Sequence, residues 1–210
     1  MAKIVSIHPQ NPQPHLLAQA VKILKAGGII VYPTDSGYAL GCQIGNKQAL
    51  ERIRRIRQLD KLHFFTLVCR DLSELASYAQ VDKNTFRILK AYTPGPYTFI
   101  LKASREVPKR LLDPSRKTIG LRIPRHLIAQ ALLEALEEPL MSSTLVLPET
   151  ELAVIEPEAM RELLGDKVDL VIDGGFCGIE PTSVVDLVES QPKVLRKGKG
   201  DVSDFLGDSA

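Results

Sequence analysis

The sequence predicts an α/β fold built on a mixed sheet, and three observations predict it. Short apolar runs closed by proline or glycine alternate with stretches whose apolar residues recur at helical spacing. The strand-like runs crowd toward the end of the chain, which favours a mixed over a purely parallel sheet. The chain of 210 residues, 44% hydrophobic and 25% charged, can bury a core without disulfide or metal staples. No repeat or low-complexity linker divides it, so residues 1–210 read as a single domain.

The elements follow in order. After a short N-terminal strand, Leu16, Leu17, Ala20, Val21 and Leu24 mark a helix that Gly27-Gly28 stops. Residues 29–32 are a buried strand closed by Pro33. Leu50, Ile53, Ile56 and Leu59 mark a second helix with Asn46 as its cap. Residues 64–68 read as a strand, and 72–79 and 84–91 as helices. The turn Thr93-Pro94-Gly95-Pro96 leads into a strand over 97–101. Residues 118–123 form a strand ended by Pro124, 126–136 an apolar helix, 140–147 a strand and 157–164 a helix. Strands over 168–172, 183–188 and 193–196 complete the set, and the tail from Asp201 frays.

Charge is nearly balanced, 27 basic against 25 acidic side chains, so any nucleic-acid argument must rest on where the positive charges sit. The 3 cysteines, Cys42, Cys69 and Cys177, contain no Cys-x-x-Cys pair. That argues against a disulfide framework or zinc ribbon and for a reducing compartment. The first residues lack a secretion signal, and no segment approaches the ~20 apolar residues that span a bilayer. The expectation is a cytoplasmic protein with no membrane contact; the sequence sets no oligomeric state.

Standard chemical templates are missing: no phosphate loop, no dinucleotide-binding glycine motif and no nucleophile elbow. His8, His15, His63 and His126 have no metal-ligand spacing, and His63 reads as a surface or loop histidine. Three segments stand out. In the stretch from Tyr32 to Tyr38, Thr34, Asp35 and Ser36 follow a strand end, where open α/β sheets bind ligands; by local pattern alone it is an ordinary turn with an Asx-type bond. In the second, Arg52 and Arg57 flank the apolar stripe of a helix while Arg54 and Arg55 point away, with Lys61 close by. Arg55 and Arg57 are two apart, so a ligand gripped by both requires the helix to unwind near Arg57. The planar fork of arginine suits phosphate. The segment reads either as a solvated basic face or as a site for nucleotide phosphate or RNA backbone. The third segment sets Arg122 in an apolar strand, where it must be paired or reach solvent. A carboxylate-binding role and a structural ion pair are equally open.

The stretches GGIIVYPTDSGYALGC, RIRQLDK, TPGPYTFIL, KTIGLRIP, PLMSS, DGGFCGIEPTSVVD and KVLRKGKGD, in order over residues 13 to about 203, resemble the YrdC/YciO-like family, and within it the YciO branch. The best-understood members of that family are L-threonylcarbamoyladenylate synthases. The resemblance implies a twisted open sheet with flanking helices and a basic concave cavity. It implies a reaction in which L-threonine, bicarbonate and ATP, the last with Mg2+, give threonylcarbamoyl-AMP and pyrophosphate. A partner complex then passes the group to adenosine in tRNA. A carbamate formed on the threonine amine attacks the α-phosphorus, and the protein positions reactants and neutralises charge, so no activated nucleophile is needed.

Residue by residue, the resemblance implies Thr34, Arg122 and Thr182 on the threonine side. It implies Arg55, Arg57, Lys61, Thr118, Thr144 and Arg196 on the nucleotide side. The chain departs from the family pattern in places. The family's Ser-x-Asn falls on Thr144-Leu145-Val146, and Val146 has no side-chain donor or acceptor. Cys69 stands for a family histidine, and Arg55 for a lysine. Each lost contact is worth about 1–3 kcal/mol. The expectation is a weakened synthase or one acting on another amino acid. The alternative is a binder of double-stranded or ribosomal RNA using the same cavity without efficient turnover.

Overall fold

The structure, a computed structural model, describes residues 2–59, 65–113, 115–146 and 156–206. The chain runs through β1 (Lys3–Ser6), α1 (Pro14–Lys25), β2 (Ile30–Thr34), β3 (Gly37–Gln43), α2 (Lys47–Arg57), β4 (Thr66–Val68), α3 (Leu72–Tyr78), α4 (Lys83–Tyr92) and β5 (Tyr97–Lys102). It continues through β6 (Thr118–Arg122), α5 (Leu127–Leu136), β7 (Leu140–Thr144), α6 (Pro157–Leu164), β8 (Leu170–Asp173), β9 (Ser183–Asp186) and β10 (Lys193–Arg196). The strands form one 10-stranded sheet in the order β1-β8-β2-β3-β7-β4-β6-β5-β9-β10. Pairs β1–β8, β2–β8, β4–β6 and β5–β9 are parallel, and the others are antiparallel, as a mixed sheet requires.

Two differences from the sequence reading matter for the site. Pro33 does not close β2 but lies inside it, opposite Tyr38. The neighbouring β8 pairs only with Ile30 and Val31, so at Pro33 no ladder bond is lost on that side. The second difference is β3, which two glycines and a lack of alternation disguise. Gly41 is there because the Tyr32 ring lies on it: a Cβ would stand 2.8 Å from Tyr32 Cε1. Between β2 and β3 only Asp35 and Ser36 are left in the loop, and Gly37 closes it at φ +114°.

Strand alternation divides the side chains between two faces. On one, Ala49, Leu50, Ile53 and Ile56 of α2, Leu75 of α3, Leu89 of α4 and Met160 and Leu164 of α6 cover Ile29, Val31, Leu40, Leu67, Phe99, Leu121 and Met141. On the other, Leu17, Ala20 and Leu24 of α1 and Ile128, Ala129, Leu132, Leu133 and Leu136 of α5 cover Ile30, Tyr32, Leu170, Ile172 and Leu140. Those two helices lean on the β2 end of the sheet. Further along the same face, β4 to β7 present hydroxyls instead: Thr66, Thr98, Ser142 and Thr144. Among the described residues no helix is long and apolar enough to cross a membrane.

Asn46 caps α2 as expected, its side chain accepting from the Ala49 N–H at 3.0 Å. Since α2 delivers a site arginine, the cap is also a local test: Asn46→Ala should lower unfolding free energy by about 1 kcal/mol, read as a shifted urea midpoint at unchanged m-value.

Candidate functional site

The hydroxyl-bearing half of the sheet is the floor of a cavity of about 380 Å³. Its shape follows from the brevity of β4. Register between β4 and β7 stops at Thr66 opposite Ser142, so residues from Ser143 onward have no β4 partner. At that gap Arg57, the last residue of α2, reaches Ser143 Oγ with its Nε at 3.5 Å and donates to the Val146 carbonyl. From the opposite side comes Arg196, at the end of β10. Its Nε donates to the Thr182 carbonyl and a terminal nitrogen donates to Thr182 Oγ1, both at 2.9 Å. Thr182 in turn bonds Thr98 across the floor at 2.9 Å.

Among the described residues, Arg57 and Arg196 are therefore held by neutral acceptors only. Burial lowers the pKa of both guanidiniums, and at Arg196 the nearby Arg122 adds to the effect.

Arg122 is different. It lines the same cavity, and its side chain is only 8% exposed. It pairs with Asp35, 10% exposed, which the tight β2–β3 loop presents. The other Asp35 oxygen accepts from the Arg125 N–H at 2.9 Å, and the Asp35 carbonyl accepts from Lys199 Nζ. Of the two readings open for Arg122 in the sequence, the structural ion pair is the one observed; the residue also lines the cavity.

The structure brings Arg57, Arg122, Thr144, Thr182 and Arg196 together at the cavity wall. Val146, where the family amide is expected, also lines it. Other expected residues lie elsewhere. The helix does not unwind before Arg57; it is regular to its end, where Gln58 adopts φ +50°. Arg55 is consequently exposed and away from the lining, as helical geometry demands for residues two apart. Thr118 begins β6 and is buried near Lys102, roughly 13 Å along the strand from Arg122. Thr34 lies behind Arg122 with its hydroxyl fully engaged. It donates to the Gly37 carbonyl (2.6 Å) and accepts from the Ser36 N–H (3.2 Å) and an Arg122 terminal nitrogen (3.4 Å). Lys61 and His63 lie outside the described residues. Arg54, expected to point away, is half-buried, paired with Glu51, with its guanidinium over the Phe65 ring.

No cysteine offers a thiolate. Burial pushes Cys42 up to about 12, Cys177 up to about 11 and Cys69 well above the ordinary thiol value. Sequence reasoning missed Thr66, Thr98, Ser142 and Ser143 as site residues. Their signal was available: hydroxyls and apolar residues at i, i+2 within short strands, as in Thr66/Val68, Thr98/Ile100 and Ser142/Thr144.

With this geometry in hand, a family model named Sua5/YciO/YrdC and described as telomere recombination matches residues 22–198. The chain belongs to that family. YciO of Escherichia coli K12, described as uncharacterized, is 57% identical over 206 residues, 98% of this chain and 100% of that one. The crystal structure of E. coli YciO superimposes with a TM-score of 0.94. A threonylcarbamoyl-AMP synthase of Vibrio vulnificus is 30% identical over 162 residues, 75% of this chain and 86% of that one. P. abyssi Sua5 complexed with L-threonine shares the fold, with a TM-score of 0.83 at 24% identity over 93% of this chain and 57% of its own.

Asp35 is the counter-charge that lets Arg122 be buried. Asp35→Ala should destabilise the protein by about 3 kcal/mol or more, because it strands a desolvated guanidinium. The double variant Asp35→Ala/Arg122→Met should recover part of that loss in the same thermal or urea melt.

Proposed function

We propose that this protein is a nucleotidyltransferase of the L-threonylcarbamoyladenylate synthase type, with weakened turnover. One observation carries the reading. Arg57, partly buried, and Arg196, exposed at the rim, face one cavity and among the described residues are met only by neutral acceptors, while Arg122 beside them already has its counter-charge. Desolvating a guanidinium without an anion costs free energy, and a bound polyanion recovers it. The triphosphate of ATP is such a ligand. Magnesium enters with it, held by phosphate oxygens.

In this reading Arg57 and Arg196 neutralise charge as a carbamate oxygen attacks the α-phosphorus and pyrophosphate leaves. Thr144 and the Ser142–Ser143 hydroxyls supply hydrogen bonds to the nucleotide. Arg122 and Thr182 serve the threonine end, and bicarbonate supplies the carbamate carbon. Arg55 and Thr118 have no contact to make. The kinship with a named threonylcarbamoyl-AMP synthase supports the choice of reaction, and transfer to tRNA adenosine would follow on a partner.

Val146 favours a second reading. An apolar side chain lines the wall where the family has an amide, and Arg55 stays exposed on α2. Double-stranded or ribosomal RNA, gripped by its phosphates, needs neither the amide nor turnover.

Pyrophosphate release from ATP, with and without L-threonine and bicarbonate, separates the two. Threonine-dependent release is expected. Arg57→Ala and Arg196→Ala should each lower kcat/KM for ATP by about 100-fold. Val146→Asn should raise the rate by about tenfold, the size of one restored hydrogen bond to a charged group. Absence of threonine-dependent release, together with RNA binding that falls steeply with salt, would replace the synthase reading by the binder.

A further inference from the structure

Four buried side-chain atoms lack a hydrogen-bond partner among the described residues: Arg54 Nε, Arg161 Nε, Arg122 Nε and His126 Nδ1. Buried polar atoms are almost always satisfied, so each orphan calls for a reason. The last two share one corner of the molecule. Arg122 pairs with Asp35, and Asp35 also holds the N–H of Arg125, the residue before His126. The turn from Arg122 to His126 therefore wraps around a single carboxylate. His126 stands at the N-terminus of α5, and its side chain does not cap that helix. The helix lies on the same sheet face as the cavity; Arg122 lines that cavity and, with Asp35, is close enough to His126 to act on it electrostatically.

The two orphans are complementary. Arg122 Nε–H is a donor with nothing to donate to, and in the Nε2–H tautomer His126 Nδ1 is an acceptor with nothing to accept. An α-amino acid offers the converse pair, a carboxylate acceptor and an amine donor on one carbon. We propose that His126 is the catalytic base of the amino-acid subsite: its Nδ1 takes the proton of the substrate amine while Arg122 Nε–H receives the carboxylate. The chemistry rests on the synthase reading above.

The step balances. The substrate enters as an ammonium group, and His126 removes one proton. The freed nitrogen lone pair then forms an N–C bond to carbon dioxide, and one C=O electron pair moves onto oxygen. The second nitrogen proton goes to the hydroxide released when bicarbonate dehydrates, giving water. Ammonium plus bicarbonate thus become carbamate, water and one imidazolium.

The surroundings suit a base. Burial holds the His126 imidazole below its ordinary pKa, with Asp35 opposing and Arg122 reinforcing that shift. The ring is therefore neutral near pH 7 and able to accept a proton. Arg125 adjoins it in the chain, and Cys177 and Lys199 lie around Asp35 on the far side. Both orphan atoms are shielded from solvent, and Cys177 lies close enough to Arg122 and Asp35 to feel their charges.

The decisive experiment pairs turnover with a binding readout. In wild-type protein the threonine-dependent rate should fall as pH drops through the His126 pKa. His126→Gln should lower kcat about 100-fold, erase that acid limb and regain rate on addition of free imidazole. KM for ATP should stay unchanged. A loss under about threefold, or an acid limb that survives the substitution, would overturn the proposal. Independently, L-threonine should shift the His126 ring nitrogens in a 15N spectrum, assigned by their loss in His126→Gln. A threonine-induced shift without turnover would leave the amine contact standing and sink only the synthase reading. No shift would overturn the contact whatever the turnover.

Discussion

A guanidinium set into the face of a β-sheet needs a carboxylate beside it, and much of this site follows from how that need is met. Arg122 is buried at the end of β6 because the β2–β3 loop places Asp35 against it. The same carboxylate fixes the start of the turn into α5, and the same loop anchors Lys199 of the C-terminal segment. Thr34 completes the arrangement from behind, its hydroxyl spent on the loop and on Arg122. One ion pair thus joins elements distant in sequence, and its arginine is part of the cavity wall.

The cavity itself is a consequence of incomplete cover. Helices α1 and α5 bury apolar side chains on one end of a sheet face, and the other end of that face carries threonines and serines. Small hydroxyls tolerate either water or a ligand, whereas large apolar residues there would call for another helix. Three arginines then enter from α2, β6 and β10. Only one of them has a counter-charge among the described residues, and by electrostatics the excess positive charge would favour an anion there.

Much of the fold was legible in the sequence because period and punctuation agree with tertiary packing. Asn46 before Leu50, Ile53 and Ile56 announced α2 and its cap, and Pro124 announced the end of β6. The strand β3 was not legible. Its glycine-rich stretch has no alternation, and the reason for Gly41, the Tyr32 ring lying over it, exists only once β2 and β3 are paired. At the site, Arg57, Arg122 and Arg196 could be found from residue type and resemblance. The separation of Arg55 from Arg57 was a question of whether a helix unwinds, which local sequence does not decide. The partner of Arg122 was hidden for a similar reason: Asp35 lies 87 residues away in the chain, and only the folded sheet brings it near, across the intervening β7 and β4.

The central claim is that two cavity-facing guanidiniums, Arg57 and Arg196, whose partners among the described residues are neutral, form a polyphosphate site. Calorimetric titration with inorganic tripolyphosphate tests it without reference to turnover or to the amino acid. The wild-type protein should bind with an affinity that weakens as salt rises. Arg196→Met, which keeps much of the side-chain volume, should weaken binding by roughly 10-fold or more, the worth of a charge-assisted hydrogen bond. Equal affinity in the wild-type protein and the variant, or no binding at low salt, would contradict it.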